Sequence, residues 1–355
     1  QIRIIDIACG GGAFLRQALQ FLFSLNKSLL DLAKIKYNDE ILIKDILNNN
    51  IYGIDIQGET STLCKLLLMF EGQELCKSLS LDANLNIRHG DALHMNFKEK
   101  IELQQSFQIV LGNPPYLGER GNKELFQKMR QGDFGNKYYE RNMDYFYFFI
   151  YKAYELLEPS GLLSYITTNY FVTADGAKKL RSFIKEKFGF REIINLNTLN
   201  IFSDARGQHN MIFLLEKGSN IQPMVLINFT DNFEGNKDLL GILYKNKGMN
   251  SIRLEELHIN ELYDSKGHIY IHNSKNMGRV LQKIEENKTH KLSDLFYVNQ
   301  GLISGADKLN SAWAERLDIL ENIGDGIFVL NEEELKKLDL CQDYLDKYVK
   351  KFYKN

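Results

Sequence analysis

The chain is poor in the residues that staple or punctuate small folds. Proline occurs four times in 355 residues and tryptophan once. The four cysteines, Cys9, Cys64, Cys76 and Cys341, form no CxxC pair and no cluster with the seven histidines. A zinc ribbon or a disulfide framework therefore has no support, and a reducing, cytoplasmic setting fits best. Long apolar runs are missing too: Leu66 to Phe70 is the longest in the first hundred residues, far short of a membrane span, and no secretory leader opens the chain. Charge of one sign is not in excess, with 44 basic against 46 acidic residues and a formal charge of -2. That excludes a uniformly basic nucleic-acid binder but leaves local basic faces open. What is present, 44% hydrophobic and 25% charged residues, excludes disorder as the main state and leaves room for two domains. The first residue is Gln, and an apolar strand follows at once, which reads as a piece of a longer protein.

Apolar β-branched residues at 2–7 predict a strand, Gly10-Gly11-Gly12 a turn, and Phe14, Leu15, Ala18, Leu19 and Leu22 a helix. A second strand at 51–56 precedes a helix at 60–75, and shorter strands at 85–88 and 107–111 follow. Residues 118–141, with six basic and four acidic side chains, read as a polar surface excursion. An apolar helix at 145–157, a strand at 162–167, a basic amphipathic helix at 178–188 and strands at 192–196 and 211–215 complete the pattern. Alternation of this kind predicts an α/β fold, a largely parallel sheet of about seven strands with helices on both faces. Beyond Lys217-Gly218-Ser219-Asn220 the pattern weakens and the segment to 250 reads as irregular. Helices are expected at 276–287, 332–338 and 343–352 and a strand at 295–302. The expected division is therefore 1–219 and 220–355.

A glycine turn between a first strand and a helix lets a ligand approach the backbone and offers it amide donors. Leu15 stands where GxGxxG requires its third glycine, so the dinucleotide fingerprint fails. No GKS or GKT is present either. What remains is an acid at the end of each of the first three strands: Asp6, Asp55 and Asp91. Any one of these has a bland reading as a cap or a solvated turn. Their repetition at the carboxyl edge, where open parallel sheets bind ligands, suits a nucleoside carrying a cationic amino-acid tail. Asp55 could accept from ribose hydroxyls, Asp91 from an exocyclic amine, and Asp6 could face an ammonium.

Two of the four prolines are adjacent, in Gly112-Asn113-Pro114-Pro115-Tyr116 after the fourth strand. Proline fixes φ and restricts the residue before it, so the backbone here is rigid. The Asn113 side-chain oxygen and the Pro114 carbonyl can both accept from one NH2 group, which leaves its lone pair free to attack an electrophile. Tyr116 offers a stacking face, worth roughly 1–3 kcal/mol per base against the few kcal/mol needed to extrude a base from a duplex.

With these residues in order, Asp6-Ile7-Ala8-Cys9-Gly10-Gly11-Gly12-Ala13-Phe14, Gly53-Ile54-Asp55-Ile56, Gly90-Asp91-Ala92-Leu93 and Gly112 to Tyr116, the sequence resembles the N6-adenine DNA methyltransferases of type IIG restriction-modification systems. The likeness continues through 144–157, Pro159-Ser160-Gly161, Thr167 to Phe171, Asn200-Ile201-Phe202 and the stretch 292–308. It implies a Rossmann-like class I methyltransferase domain over 1–219, lacking a family helix that precedes the first strand. An incomplete α+β target-recognition domain would occupy 220–355. It further implies S-adenosyl-L-methionine as cofactor, with Asp6, Ala8, Gly10 and Gly12 at its methionine end. Asp55 would lie at the ribose, Asp91 at the adenine amine, and Ile56, Ala92 and Phe149 around the purine. Asn113 and Pro114 would orient the target amine, and Tyr116 and Phe202 would sandwich its ring, although an apolar residue such as Phe202 between strands also reads as core. Gly11 replaces a serine usual in the family.

The implied partner is double-stranded DNA, with a nuclease domain elsewhere in the full-length protein. No proline here precedes an aspartate and no paired-carboxylate site stands out, so neither cleavage nor a metal is expected of this stretch. Lys178, Lys179, Arg181, Lys185, Lys187 and Arg191 put six positive charges into fourteen residues against Glu186 alone; a solvated helix face explains them as well as DNA does. The excursion at 118–141, directly after the Pro-Pro loop, is the better candidate for phosphate contact, ordering when substrate arrives. Three alternatives stay open: a protein-glutamine methyltransferase, an RNA methyltransferase, and a non-catalytic DNA-recognition module.

Overall fold

The computed structural model describes residues 2–80, 85–95, 106–197, 199, 209–218, 224–229, 252–264 and 266–271, and short pieces at 283–284, 286–290, 292–296, 332–337 and 345. The first strand is β1 (Ile4–Asp6), followed by helices α1 (Ala13–Leu32) and α2 (Asp39–Asn49). Then come β2 (Ile51–Asp55), α3 (Gly58–Leu75), β3 (Asn86–His89) and β4 (Phe107–Gly112). Helices α4 (Lys123–Gln131), α5 (Asp133–Tyr138) and α6 (Phe146–Leu156) precede β5 (Leu157–Thr168). Helix α7 (Lys178–Lys187), β6 (Phe188–Asn197), β7 (Asn210–Lys217), β8 (Met224–Phe229) and β9 (Ile252–Leu257) complete the sheet.

These nine strands form one sheet in the order β3-β2-β1-β4-β5-β7-β6-β8-β9. β1 pairs in parallel with β2 on one side and β4 on the other, through Ile4↔Ile51 and Ile4↔Ile109. The chain therefore runs outward through β2 and β3 and then returns across β1 to begin β4. This reversal makes a switch point at the carboxyl ends of β1 and β4, where open α/β sheets form the crevice that binds a ligand. β7 is antiparallel to both β5 and β6. The Rossmann-like α/β fold read from the sequence is present.

The strand count is nine rather than about seven. β8 fills part of the stretch expected to be irregular: Met224-Val225-Leu226-Ile227-Asn228-Phe229 pairs in parallel with β6 through Ile193↔Leu226. Only six residues long, behind Pro223 and ahead of an Asn- and Gly-rich run, it offers too few alternations to be read locally. Helix α2 was likewise not foreseen; Asn38 caps it by accepting from the Ile41 N–H at 3.1 Å. The helix expected at 332–338 is found at Glu332–Lys337. Most of the elements expected at 276–287, 295–302 and 343–352 fall outside the described residues.

Packing follows the sheet's two faces. On one, Leu15, Leu19 and Leu22 of α1 join Ile43 and Ile46 of α2, Leu68 of α3 and the strand residues Ile4, Ile51 and Ile87. On the other, the aromatic α6 supplies Phe146, Phe148, Phe149 and Tyr151 to a larger core with Ile5, Ile54, Val110, Tyr165 and Phe213. Each such side chain, fully buried, contributes roughly 1.5–3 kcal/mol. The chain divides into two compact units, Gln1–Gln282 and Lys283–Asn355, and the whole sheet lies in the first.

Candidate active site

The turn after β1 folds as its glycines demand. Gly10 and Gly12 have φ of 50° and 77°, left-handed values that suit glycine. Gly12 caps α1, and its N–H donates to the Cys9 carbonyl at 2.8 Å. A β-carbon on Gly12 would meet Cys64 Sγ at 2.5 Å, whereas one on Gly10 would meet nothing within 4 Å. Gly12 thus lets α1 close against α3, and Gly10 leaves its side of the turn open.

The three strand-end acids have different environments. Asp6 is 2% exposed, and the Ala8 N–H donates to its Oδ1 at 3.0 Å. Burial pushes its carboxyl up to about 7, opposed by that backbone hydrogen bond, with the Asp55 charge raising it further. Asp55 is more heavily engaged: its Oδ2 accepts from the Gly10 N–H at 2.8 Å, and its Oδ1 accepts from the Gln57 N–H at 2.9 Å and the Thr60 hydroxyl at 2.7 Å. Asp91 accepts from the Leu93 N–H at 3.0 Å through Oδ1, while Oδ2 pairs with His94 Nδ1 at 2.8 Å.

The Pro-Pro loop leaves β4 at Gly112, which pairs with Tyr165 of β5. Gly112 has φ of 150°, and a β-carbon there would stand 2.6 Å from Asp6 Oδ1. The base of the loop therefore rests on the carboxylate that ends β1. Pro114 is buried, Asn113 and Tyr116 are half-buried, and the Tyr116 ring meets Phe146 edge-on at 5.8 Å. Its hydroxyl lies 2.7 Å from the Ile166 carbonyl and also meets Asn113 Oδ1. Beyond the loop, Asp144 Oδ1 accepts from the Leu117 N–H at 3.0 Å and the Phe146 N–H at 3.3 Å, and the Tyr145 N–H donates to the Leu117 carbonyl at 3.0 Å. The loop exit is thereby tied to the first turn of α6.

Asp6, Ala8, Gly10, Gly12, Asp55, Asn113, Pro114 and Tyr116 all belong to the turns and strand ends that frame this crevice. Ile56, just past β2, is 65% exposed, an apolar side chain left bare. Ala92 and Phe149 are core members at 4% and 6% exposure. Phe202 lies outside the described residues. Asp144, Thr60 and His94 were not singled out from the sequence. Asp144 could have been, as an acid directly before an apolar helical run, the usual signature of a helix N-terminus. His94 and Thr60 carry no such signal.

The donors and acceptors fit S-adenosyl-L-methionine. Asp6 has acceptor positions left after one backbone bond, buried where an ammonium would need a partner. Asp55, with three of about four lone-pair positions used, retains about one for a hydroxyl. Gly10 borders open space, and Ile56 offers an apolar face. Among the described residues no group of His, Cys, Asp and Glu could hold a metal ion.

The polar excursion expected at 118–141 is ordered and contributes to the core. It folds as α4 and α5, because Phe126, Met129 and Tyr138 bury their side chains beside Phe148 and Tyr151. Its acids divide: Glu119 accepts from the Tyr139 hydroxyl at 2.6 Å and the Asn142 N–H at 2.5 Å, and Glu140 from the Lys179 N–H at 2.8 Å. Arg120, Lys123, Lys128, Arg130, Lys137 and Arg141 are exposed. The basic helix α7 is less of a free face than its composition suggests. Arg181 is 3% exposed and donates from Nε to the Gly267 carbonyl at 2.9 Å and from Nη1 to the Phe171 and Ala174 carbonyls at 2.8 and 2.6 Å. Burial lowers its pKa. Arg191 pairs with Glu216.

Comparison with known proteins agrees with this geometry. Residues 49–202 match the family model described as Eco57I restriction-modification methylase. The type II restriction enzyme and methyltransferase RM.Eco57I of Escherichia coli is 26% identical over 246 residues, 60% of this chain and 24% of that protein. The type II methyltransferase M.BstVI of Geobacillus stearothermophilus is 25% identical over 331 residues, 89% of this chain and 56% of that protein. The chain thus spans between about a quarter and about half of the length of these relatives. Among solved structures, the DrdV–DNA complex aligns with a TM-score of 0.54 at 13% identity, covering 78% of this chain and 29% of that one. A nuclease-deletion mutant of the type ISP restriction-modification enzyme LlaGI aligns with a TM-score of 0.53 at 16% identity, covering 78% and 25%. At such identities the likeness concerns the fold. Sequence motifs, sheet order and family match converge, and the chain resembles the type II restriction-modification DNA methyltransferases, its residues 49–202 carrying the match to the Eco57I restriction-modification methylase family.

Proposed function

We propose that this chain carries the catalytic part of a site-specific DNA methyltransferase acting on the N6 amine of adenine, with S-adenosyl-L-methionine as donor. The observation that supports this best is the close approach of Gly112, which begins the Asn113-Pro114 loop, to Asp6 at the reversal of the strand order. It brings an amine-orienting pair next to a crevice suited to a cationic nucleoside.

When bound, the cofactor supplies an electrophilic methyl group. Asp6 in its ionised form would hold the ammonium, Ala8, Gly10 and Gly12 would line the tail, and Asp55 would bind the ribose. Asp91 would accept from the adenine amine once His94 shares or yields its Oδ2, while Ile56, Ala92 and Phe149 would bound the purine. The flipped adenine would stack on Tyr116, with Phe202 on its other face, and present its amine to the Asn113 side chain and the Pro114 carbonyl. Accepting both amine hydrogens holds the nitrogen lone pair out of the ring, aimed for in-line displacement. The exposed cations at 118–141 would contact phosphates of double-stranded DNA. A cytoplasmic restriction-modification enzyme whose nuclease domain lies elsewhere in the full-length protein is the setting this reading implies.

The test is to incubate the full-length protein with labelled S-adenosyl-L-methionine and unmethylated genomic DNA and to analyse the nucleosides. Labelled N6-methyladenine that disappears with Asn113→Ala supports the proposal. Label in protein or RNA instead, or unchanged methylation by the variant, overturns it.

A further inference from the structure

The hydroxyl of Tyr116 lies between two groups that the stacking role of its ring does not use. One is the Ile166 carbonyl at 2.7 Å, the other the Oδ1 of the Asn113 side-chain amide. β4 ends at Gly112, opposite Tyr165, so β5 runs past its neighbour and the hydroxyl reaches the next carbonyl along. A phenol has one hydrogen to donate and an oxygen that accepts. The carbonyl can only accept, so it takes the hydrogen. Asn113 is placed with its Oδ1 at the same hydroxyl, so two acceptors compete for one hydrogen. With its NH2 turned there instead, every group is used, and Oδ1 is left facing away from Tyr116. Which way a side-chain amide points is decided by such a network.

We infer that the Tyr116 hydroxyl, anchored on the Ile166 carbonyl, fixes the amide of Asn113 with its NH2 toward Tyr116 and its Oδ1 toward the target amine. This rests on the proposed function and adds a positioning residue to it. Half-buried and near the Asp144 charge, the phenol is held above its ordinary pKa, so its hydrogen stays in place at any working pH. The arrangement matters because an amide turned the other way would point an NH2 at an NH2.

The test uses the full-length enzyme and duplexes carrying its methylation site, with adenine or with purine, which lacks the amine, at the target position. Tyr116→Phe keeps the ring and removes only the hydroxyl. Its expected effect is a roughly three- to tenfold fall in kcat, the size of one hydrogen bond, with the KM for cofactor unchanged. Affinity for the adenine duplex should fall while affinity for the purine duplex does not. In an Asn113→Asp background the same substitution should cost less than about twofold, because a carboxylate has no wrong face. Equal losses on adenine and purine duplexes, or wild-type kcat in Tyr116→Phe, would overturn the inference, and the binding comparison decides even if Asn113→Asp proves inactive. If the wild-type enzyme itself neither methylates adenine nor distinguishes it from purine, it is the functional reading that fails.

Discussion

The carboxylate of Asp6 closes against the α-carbon of Gly112: a β-carbon on Gly112 would stand 2.6 Å from Asp6 Oδ1 and 2.9 Å from its carboxyl carbon. The two residues end neighbouring parallel strands, β1 and β4. One begins the glycine turn and the other begins the Pro-Pro loop. Their contact couples the proposed cofactor site to the proposed target site through a few atoms of close packing.

Gly112→Ala should therefore damage both sites at once. The added methyl has to displace a buried carboxylate, and φ of 150° is costly for an L side chain. A loss of roughly 1–3 kcal/mol in stability is expected, with weaker cofactor binding and slower methyl transfer. Urea unfolding and calorimetric titration of the cofactor measure the two effects; a variant that matches wild type in both would show that the contact is dispensable.

Asp6 should make stability depend on pH in a defined window. Its carboxyl is raised from 3.8 to about 7 in the fold. Between those values the folded protein holds a proton that the unfolded chain has released, so this contribution is full below about 4, declines as pH rises to about 7, and is flat above. Asp6→Asn removes the decline, and the variant should gain on wild type by roughly 2–4 kcal/mol between pH 4.5 and pH 8. Under the proposed assignment, cofactor binding near pH 7 also releases a proton, visible as a dependence of the binding heat on the ionisation enthalpy of the buffer. An equal stability difference at both pH values would mean that Asp6 ionises normally.

Gly12→Ala should lower the unfolding midpoint for two separable reasons: a left-handed φ of 77° and a clash with Cys64 Sγ at 2.5 Å. Together they should cost roughly 2–4 kcal/mol. Adding Cys64→Ala removes the clash but not the backbone strain, so it should recover part of the loss. Full recovery would assign the whole effect to packing, and none would assign it to φ.

Arg181 should behave as a structural residue despite its place in a basic helix. Its truncation to Ala would leave the Phe171, Ala174 and Gly267 carbonyls without their donor, a loss of about 3 kcal/mol or more. Lys178→Ala, on the exposed side of α7, should change stability by less than about 0.5 kcal/mol. Equal effects of the two variants in urea unfolding would contradict this division.

Lys123 and Lys128, exposed on α4, should each contribute to DNA affinity through counterion release. Replacing either by Ala should reduce the slope of log K against log salt by about one. Titrations of a labelled duplex at several salt concentrations measure this, and an unchanged slope would move the phosphate contacts elsewhere.

Much of this molecule is legible in its sequence. Local hydrophobic periodicity marks β1, α1, β2, α3, β4 and α6, and the order of the acid, glycine and Pro-Pro motifs carries the resemblance to the family. Other parts are not. α2 and β8 are short and weakly patterned, and the polar excursion at 118–141 hides three core side chains, Phe126, Met129 and Tyr138, among its charges. Charge counting placed Arg181 on a surface, because composition does not record which way a helical residue faces.

The sequence by itself determined which elements form and which chemical groups stand at strand ends, since period and turn chemistry are properties of neighbouring residues. Only the tertiary structure decided how those groups are used: Asp55 tied by the turn after β1, Asp6 buried against Gly112, Arg181 turned inward, the Tyr116 hydroxyl anchored on Ile166. Each of these joins residues on different elements. Hydrogen-bond partners and desolvation depend on strand register and on the return of the chain across β1, and no local pattern carries that information.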